Sequence, residues 1–213
     1  LIEWQLERLA AAGIRDVVVN HAWLGEQIPA RLGDGSRFGV TIRYAAEPEP
    51  LETVGGIVNA LPLLGARPFI LASGDVYCDF DYRRLEPRVA EIAREYPRRV
   101  AHFVLMDNPA FHPEGDFAID SRGLAREVGQ RLNYGGIAVY HPALFKSFTP
   151  GVRMKLFPWA RQFVAAGQVS AEHHGGRWVN VGTSAELLAL DALLSPRGPV
   201  CHAESQPGLA SQA

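Results

Sequence analysis

Short apolar runs that alternate with helical segments constrain the fold of this chain more than any other feature. The runs "VVVN" (17–20) and "FILAS" (69–73) are apolar up to a final polar residue, as in strands that are buried on both faces. Between them "VTIRY" predicts a further strand and "GGIVNALPLLG" predicts a helix. Strands and helices that follow one another through short connections predict an α/β fold with a mostly parallel sheet.

The second half of the chain changes character. The segments "FAID", "LAREV" and "YGGIAVY" predict short strands separated by Ser, Gly and Asn, as in a small antiparallel excursion from the main sheet. We predict one domain over residues 1–194. Residues 195–213 are rich in Pro, Ser, Gly and Ala without any period, which predicts a disordered tail.

Charge and cysteine content narrow the classes of partner. The 213 residues include 21 Lys and Arg against 23 Asp and Glu, so the chain has no basic footprint for nucleic acid. No apolar run is long enough to cross a bilayer. Cys78 and Cys201 are too few for a disulfide framework, which favours a reducing compartment. We therefore expect a cytoplasmic protein that binds neither nucleic acid nor a membrane.

The segment "FILASGD" places Asp75 directly after a buried strand. Ligands of open α/β sheets bind beyond the carboxyl ends of the strands, and Gly74 allows a close approach there. A carboxylate in this position suits Mg²⁺, which takes one or two protein carboxylates and completes its shell with water and phosphate oxygens. The same residues also fit a turn aspartate that only caps the following segment, so the spacing leaves both interpretations open.

Two glycine pairs are further candidate ligand contacts. Gly55 and Gly56 open a helix in "PLETVGGIVNAL", where backbone N–H groups and the helix dipole favour an anion or a nucleobase edge. The segment "NYGGIAVY" (133–140) combines an Asn and a Tyr with a second glycine pair that allows a small polar ligand to approach. A tight turn and a strand bend explain the two pairs equally well, so the residues alone leave these interpretations open.

The segment "RWVNVGTSAEL" (177–187) places an amide at the end of another predicted strand. Thr183 or Ser184, with Glu186, is typical of an ordinary helix start. Asn180 precedes this start, and its side-chain oxygen could complete a cation site at the strand terminus.

The order of these segments is more specific than any one of them. Together they resemble the sugar-1-phosphate nucleotidyltransferase family over residues 1–194. Within it the resemblance is closest to the uridylyltransferases that act on N-acetylmuramate 1-phosphate in peptidoglycan recycling. It implies a Rossmann-like three-layer α/β fold with a mixed central sheet, and it implies Mg²⁺, a nucleoside triphosphate and a sugar 1-phosphate as ligands. The motifs that carry it are "GIRDVVVNHAWLGEQI", "IRYAAEPEPLETVGGI", "FILASGDVYCDFD", "DNPAFHPEGDF", "NYGGIAVYHPALF" and "WVNVGT".

Site residues carry over from the resemblance position by position. Asp75 matches the catalytic metal aspartate, and Asn180 falls at the second metal position, where many relatives have Asp. The nucleotide-binding positions correspond to Glu52, Thr53, Gly55, Gly56, Ser73 and Gly74. The sugar-facing positions correspond to Asp116, Asn133, Tyr134, Gly135 and Gly136.

The chain also departs from the family pattern. Val54 stands where relatives carry Gly or Ala, and Ser73 stands where close relatives carry Asn. The family begins with a strand and a Gly-rich loop that ends in Arg and is followed by Lys-Pro, and residues 1–213 contain no such segment. That loop wraps the triphosphate and neutralises charge on the leaving pyrophosphate. We expect it upstream of Leu1, because a sheet without its central first strand would have unpaired edges in its middle and an exposed apolar groove.

Three hypotheses follow. The first is uridylyl transfer from UTP to N-acetylmuramate 1-phosphate by a monomeric enzyme, since the C-terminal extensions that trimerise or regulate some relatives have no counterpart here. The second keeps the reaction and changes the pair, to guanylyl transfer to mannose 1-phosphate or uridylyl transfer to glucose 1-phosphate. The third is a non-catalytic nucleotide or sugar-phosphate binding domain without a phosphate loop.

Overall fold

The first half of the chain alternates helices and strands as its sequence predicts. The computed structural model describes residues 1–195. Helix α1 buries Leu6 and Leu9 on one face and is followed by Gly13, whose φ of 84° suits glycine at a helix end. The elements up to the middle of the sheet are α1 (Ile2–Ala11), β1 (Asp16–His21), α2 (Gln27–Leu32), β2 (Thr41–Ala46), α3 (Glu52–Leu64) and β3 (Phe69–Ala72).

The second half contributes further strands and three helices within the described residues. Its strands are β4 (Val76–Cys78), β5 (Ala101–Met106), β6 (Ala118–Ile119), β7 (Ala125–Arg126), β8 (Asn133–Tyr140), β9 (Val169–His174) and β10 (Trp178–Asn180). Its helices are α4 (Glu86–Glu95), α5 (Arg161–Ala165) and α6 (Ser184–Leu194). The disordered tail predicted over 195–213 lies, from residue 196 onward, outside the described residues.

The central sheet has four strands in the order β3, β8, β5 and β9. Strand β8 runs antiparallel to β3 and to β5, whereas β5 and β9 are parallel. Strands β1 and β2 form a separate parallel pair, and β6 and β7 form the small antiparallel hairpin that the sequence predicts. The α/β class with a mixed central sheet is therefore confirmed.

The position of β8 corrects one expectation. We predicted "YGGIAVY" within the antiparallel excursion, but β8 lies between β3 and β5 at the centre of the main sheet. Its residues are buried on both faces, with the single exception of half-buried Tyr134. Turn residues around such a run mark strand ends, but they do not tell which partner the strand will pair with.

Strand β5 shows how the sheet acquires a helical layer on each face. Phe103 and Leu105 pack in a core with residues of α3 and α5, while Val104 and Met106 pack in a second core with residues of α1 and α4. Successive side chains of a strand point to opposite faces, so both layers draw on the same six residues. This arrangement is the three-layer fold that the resemblance implies.

A gap separates the β1–β2 pair from the central sheet. Among the described residues β1 is hydrogen-bonded to β2 alone, and β3 to β8 alone. A cavity of about 280 Å³ lies between β1 and β3, and apolar side chains of α1 and α3 line part of it. No described helix is long and apolar enough to cross a membrane.

Candidate active site

The turn between β3 and β4 carries Asp75. Asp75 is exposed, and Val76, Tyr77 and Cys78 immediately after it are buried. The turn is anchored at its start, because the Ser73 N–H donates to the Gly136 carbonyl at 2.9 Å. A Cβ placed on Gly74 would meet no atom within 4 Å, so the middle of the turn faces open space. A carboxylate thus lies on an anchored turn with room for a ligand beside it.

Strand β10 brings Asn180 to the same place. It pairs antiparallel with β4, with Asn180 opposite Val76, and the two strands form what we call the β4–β10 ribbon. The Val181 N–H donates to the Asp75 carbonyl at 2.8 Å, which extends the pairing by one residue. The two residues assigned to a metal by resemblance, 105 positions apart in the numbering, are therefore neighbours at one end of the ribbon.

The first turn of α3 forms another wall of the cavity. Glu52 has a φ of 64°, in the left-handed region that is unusual for a residue other than glycine. The Val54 N–H donates to the Met154 carbonyl at 2.9 Å, and the Met154 N–H donates to the Leu51 carbonyl at 3.0 Å. Gly55 lies so close to this segment that an added Cβ would be 2.1 Å from the Val152 carbonyl oxygen. The strained, clamped start of α3 has the features of a functional turn.

Two residues that were not singled out in the sequence hold this turn from the other side. The Asn20 amide donates to Glu47 Oε1 at 3.0 Å and to the Gly56 carbonyl at 2.6 Å. Glu47 Oε2 accepts from the Leu51 N–H at 3.0 Å. Asn20 ends the run "VVVN" and Glu47 directly follows β2, so both come at the carboxyl ends of strands, a signal that was available in the sequence.

One cleft is bordered by the first turn of α3, by Asn20 and Glu47, and by Gly74 of the β3–β4 turn. Its polar lining residues are Gln5, Asn20, Glu47, Glu52, Thr53, Gly56 and Gly74, and its remaining lining is almost entirely apolar. Of the nucleotide positions implied by the resemblance, Glu52, Thr53, Gly56 and Gly74 therefore face the same space. Gly55 instead packs against the 152–154 segment, and Ser73 is not among the lining residues. Val54 does not narrow that space, because it is fully buried in the core beneath α3.

The sugar-facing positions are brought together beside the sheet. Asp116 accepts from the Tyr134 N–H at 2.8 Å through Oδ2 and lies 3.2 Å from His112 Nε2 through Oδ1. Asn133 is buried, and its amide donates to the Tyr134 carbonyl at 3.3 Å. The backbone of residues 133–134 and Asp116 thus form one hydrogen-bonded unit.

Tyr134 presents its backbone to that unit and its ring to the core. The ring packs edge-on against Phe103 and Phe157, and its hydroxyl lies 3.3 Å from the Tyr140 hydroxyl. Burial raises the pKa of the Tyr134 phenol, which therefore stays protonated. A contact between the Tyr134 ring and a sugar would need the ring to leave this aromatic cluster.

Gly135 and Gly136 join β8 to the turn that carries Asp75. Gly136 has a φ of 72°, and an added Cβ would lie 2.6 Å from Ser73 Oγ. The Gly135 carbonyl accepts from the Trp178 indole at 2.9 Å, which ties β8 to β10. Gly136 therefore brings β8 close to the turn and requires glycine on conformational grounds, whereas Gly135 leaves room for the Met106 side chain.

The donor set at the ribbon fits a hard divalent cation. Asp75 offers a carboxylate and Asn180 an amide oxygen, which are the ligand types that Mg²⁺ accepts. Asp75 is exposed, so an ion there could keep several of its waters, as Mg²⁺ does in most protein sites. Within residues 1–195 a different donor set, Cys78, Asp79 and His174, lies at the far end of the ribbon, where the His174 ring is 2.7 Å from Asp79.

Comparisons with known proteins find relatives of this chain. The profile of the nucleotidyl transferase family matches residues 1–110. The chain is 42% identical over 198 residues to an N-acetylmuramate alpha-1-phosphate uridylyltransferase of Neisseria meningitidis, covering 91% of this chain and 84% of that protein. It is 25% identical over 204 residues to a mannose-1-phosphate guanyltransferase of Hypocrea jecorina, of which it spans 54%.

Solved structures with low sequence identity share the fold. A Bacillus anthracis structure assigned to a glucose-1-phosphate thymidylyltransferase, with a bound sucrose, superposes with a TM-score of 0.74 at 20% identity. The match covers 90% of this chain and 81% of that one. HddC from Yersinia pseudotuberculosis superposes with a TM-score of 0.70 at 16% identity, over 88% of this chain and 82% of the other.

Proposed function

Because the chain belongs to the sugar-1-phosphate nucleotidyltransferase family, we propose that it joins a nucleoside triphosphate to a sugar 1-phosphate. A phosphate oxygen of the sugar 1-phosphate forms a bond to the α-phosphorus, and the bond from that phosphorus to the pyrophosphate oxygen breaks. The products are a nucleotide sugar and pyrophosphate. The observation that carries the proposal is that the first turn of α3 and Gly74 line one cavity, while Asp75 directly follows Gly74 and β10 pairs Asn180 next to it.

The substrates we propose are UTP and N-acetylmuramate 1-phosphate. Support comes from the 42% identical Neisseria relative, 84% of which is covered, whereas mannose-1-phosphate guanyltransferases are 25% to 36% identical and only about half of their length is covered. This choice places the protein in peptidoglycan recycling, in the cytoplasm. We propose a monomer, and light scattering on the purified protein tests that state directly.

Each part of the cleft has a proposed role. Asp75 and Asn180 hold Mg²⁺, which when bound neutralises phosphate charge. Glu52, Thr53 and Gly56 line the nucleobase and Gly55 fixes their turn against the 152–154 segment, while Ser73 and Gly74 give the nucleotide close access to the β3–β4 turn. Asp116, with the backbone of 133–136, faces the sugar. Asn20 and Glu47 fix the α3 turn against which the base rests.

The cavity between β1 and β3 has a shape that could take the strand that precedes the family's phosphate loop. Two strand edges without a partner among residues 1–195 border it, and part of its lining is apolar, so its shape suits one further strand. We propose that the family's first strand fills the apolar part of this cavity, between β1 and β3, and carries its Gly-rich loop to the polar part near Asn20, Glu47 and Glu52, where the nucleotide binds. Pairing of both edges would also remove an exposed site for aggregation.

A substrate screen tests the proposed function. Pyrophosphate release is measured for the full-length gene product with UTP, GTP, dTTP and ATP, each against N-acetylmuramate, glucose and mannose 1-phosphates. The proposal expects release that requires Mg²⁺ and is fastest with UTP and N-acetylmuramate 1-phosphate. Fastest release with another pair corrects the substrates alone. Binding of nucleotide without release for any pair would indicate a non-catalytic binding domain.

A further inference from the structure

We propose that Gln5 is a positioning residue that sets the β3–β4 turn for metal binding. This inference rests on the proposed function, because it assumes that Asp75 of that turn binds the cation. Gln5 lies on α1, 70 positions before Asp75 in the numbering, and is one of the residues that line the cleft. It acts through the backbone on either side of Gly74 and Asp75.

The hydrogen bonds of Gln5 carry the proposal. Its side chain is nearly inaccessible, with 3% of the residue exposed. Its amide nitrogen donates to the Val76 carbonyl at 2.9 Å and, more weakly, to the Ser73 carbonyl at 3.4 Å. These carbonyls flank the two residues of the turn, so one side chain bridges its entrance and exit.

Tyr82 orients the amide. Its hydroxyl donates to Gln5 Oε1 at 2.6 Å, which leaves the amide nitrogen facing the turn. Burial raises the pKa of the Tyr82 phenol, so the hydroxyl remains a donor over the working pH range. Tyr82 is itself fixed in the core beneath the sheet.

Glutamine suits this position for chemical reasons. Two N–H donors meet two carbonyl oxygens, and one oxygen meets one hydroxyl, so every polar group of the side chain has a partner. A carboxylate would direct an oxygen at two carbonyl oxygens, and an apolar side chain would leave all three partners unpaired in a buried place. The other ties of the turn are backbone bonds, from Ser73 to Gly136 and from Val181 to Asp75.

The Gln5 bridge would affect metal binding by fixing the position of the Asp75 carboxylate. With its entrance and exit bridged, the turn can place the Asp75 carboxylate in one direction relative to Asn180. Mutation of a residue that orients a metal ligand without touching the metal typically lowers metal affinity or activity by ~10-fold to 100-fold. Loss of the Gln5 bridge should therefore weaken cation binding while the fold persists.

The test uses the full-length protein with Mn²⁺ as the spectroscopic substitute for Mg²⁺. Free Mn²⁺ is measured by electron paramagnetic resonance in a titration with UTP present, for wild type, Gln5→Met, Tyr82→Phe and Asp75→Asn. We expect ~10-fold or greater weakening in Gln5→Met and a smaller, several-fold weakening in Tyr82→Phe. Hydrogen exchange should be faster at the Val181 and Ser73 amides in both variants.

A stability-matched control separates positioning from general destabilisation. Ile92 is fully buried in the same core as Tyr82, so Ile92→Val lowers stability without touching the turn. It should bind Mn²⁺ as tightly as wild type. Affinities of Gln5→Met and Tyr82→Phe that equal the control while Asp75→Asn is weakened would overturn the inference alone. Unchanged affinity in Asp75→Asn would overturn the proposed metal site and the inference with it.

Discussion

Gly55 offers a test in which packing opposes intrinsic helix propensity. Replacing a glycine inside a helix with alanine normally stabilises the helix by ~1 kcal/mol. At Gly55 the new Cβ would lie 2.1 Å from the Val152 carbonyl oxygen and 2.8 Å from the Leu51 Cβ. Backbone cannot rotate away as a side chain can, so α3 and the 152–154 segment must separate.

The expected loss of stability in Gly55→Ala follows from the backbone hydrogen bonds that the separation would break. Three backbone hydrogen bonds join the two segments, from Val54 and Gly55 to the Met154 carbonyl and from Met154 to the Leu51 carbonyl. At ~0.5–1.5 kcal/mol net for each bond, their loss outweighs the gain in propensity. We expect Gly55→Ala to lower the free energy of unfolding by about 1–3 kcal/mol.

Two neighbouring glycines supply matched controls for a urea titration followed by circular dichroism. An added Cβ on Gly56 would meet Glu47 Oε1 and Asn20 Nδ2 at 2.8 and 2.9 Å, which are side-chain ends and can shift, so Gly56→Ala should cost less than Gly55→Ala. Gly74→Ala should be neutral, since its Cβ meets nothing within 4 Å. Stabilisation by Gly55→Ala, or equal losses in all three variants, would refute the clamped α3 turn.

Three further predictions concern stability. Glu52→Gly should stabilise the fold by up to ~1 kcal/mol by relieving a left-handed φ, whereas Glu52→Ala should not, and equal thermal midpoints for the two variants would argue against the strain. Burial lowers the pKa of His102 despite its contact with Glu172, so its contribution to stability is lost as pH falls below ~6.5. The unfolding free energy of His102→Gln should therefore fall less than that of wild type from pH 7.5 to 5.5, and parallel curves would contradict this. Thr183→Ala should cost ~1 kcal/mol by removing its capping box with Glu186, and Thr183→Ser should restore it; thermal unfolding of both checks this.

The sequence carried enough information to place most of the cleft. Asp75 and Asn180 each follow or end an apolar run, which marked both as candidates under the rule that ligands bind beyond strand ends, and the family resemblance assigned them to one metal site. Their roles as ligands stay a prediction, since only their proximity is observed. Asn20 and Glu47 obeyed the same rule and could have been found by applying it to every predicted strand.

Other features depend on pairing that periodicity does not encode. The run over β8 reads as a buried strand whichever neighbours it has, so its central place between β3 and β5 was inaccessible to a local pattern. Tyr134 looked available to a ligand because it precedes a glycine pair, but β8 directs its ring at Phe103 and Phe157. Gln5 was visible as a polar residue on the apolar face of α1, and its partners lie about 70 positions away.

The most direct test of the central claim compares two aspartates of the same ribbon. Asp75 lies beside Asn180 at the cleft, whereas Asp79 lies at the far end of β4 against His174. Pyrophosphate release by the full-length protein is measured over a range of Mg²⁺ concentrations for Asp75→Asn and Asp79→Asn. The account predicts a loss of ~10²-fold or more in Asp75→Asn and near wild-type release in Asp79→Asn. Wild-type release and Mg²⁺ dependence in Asp75→Asn would contradict it.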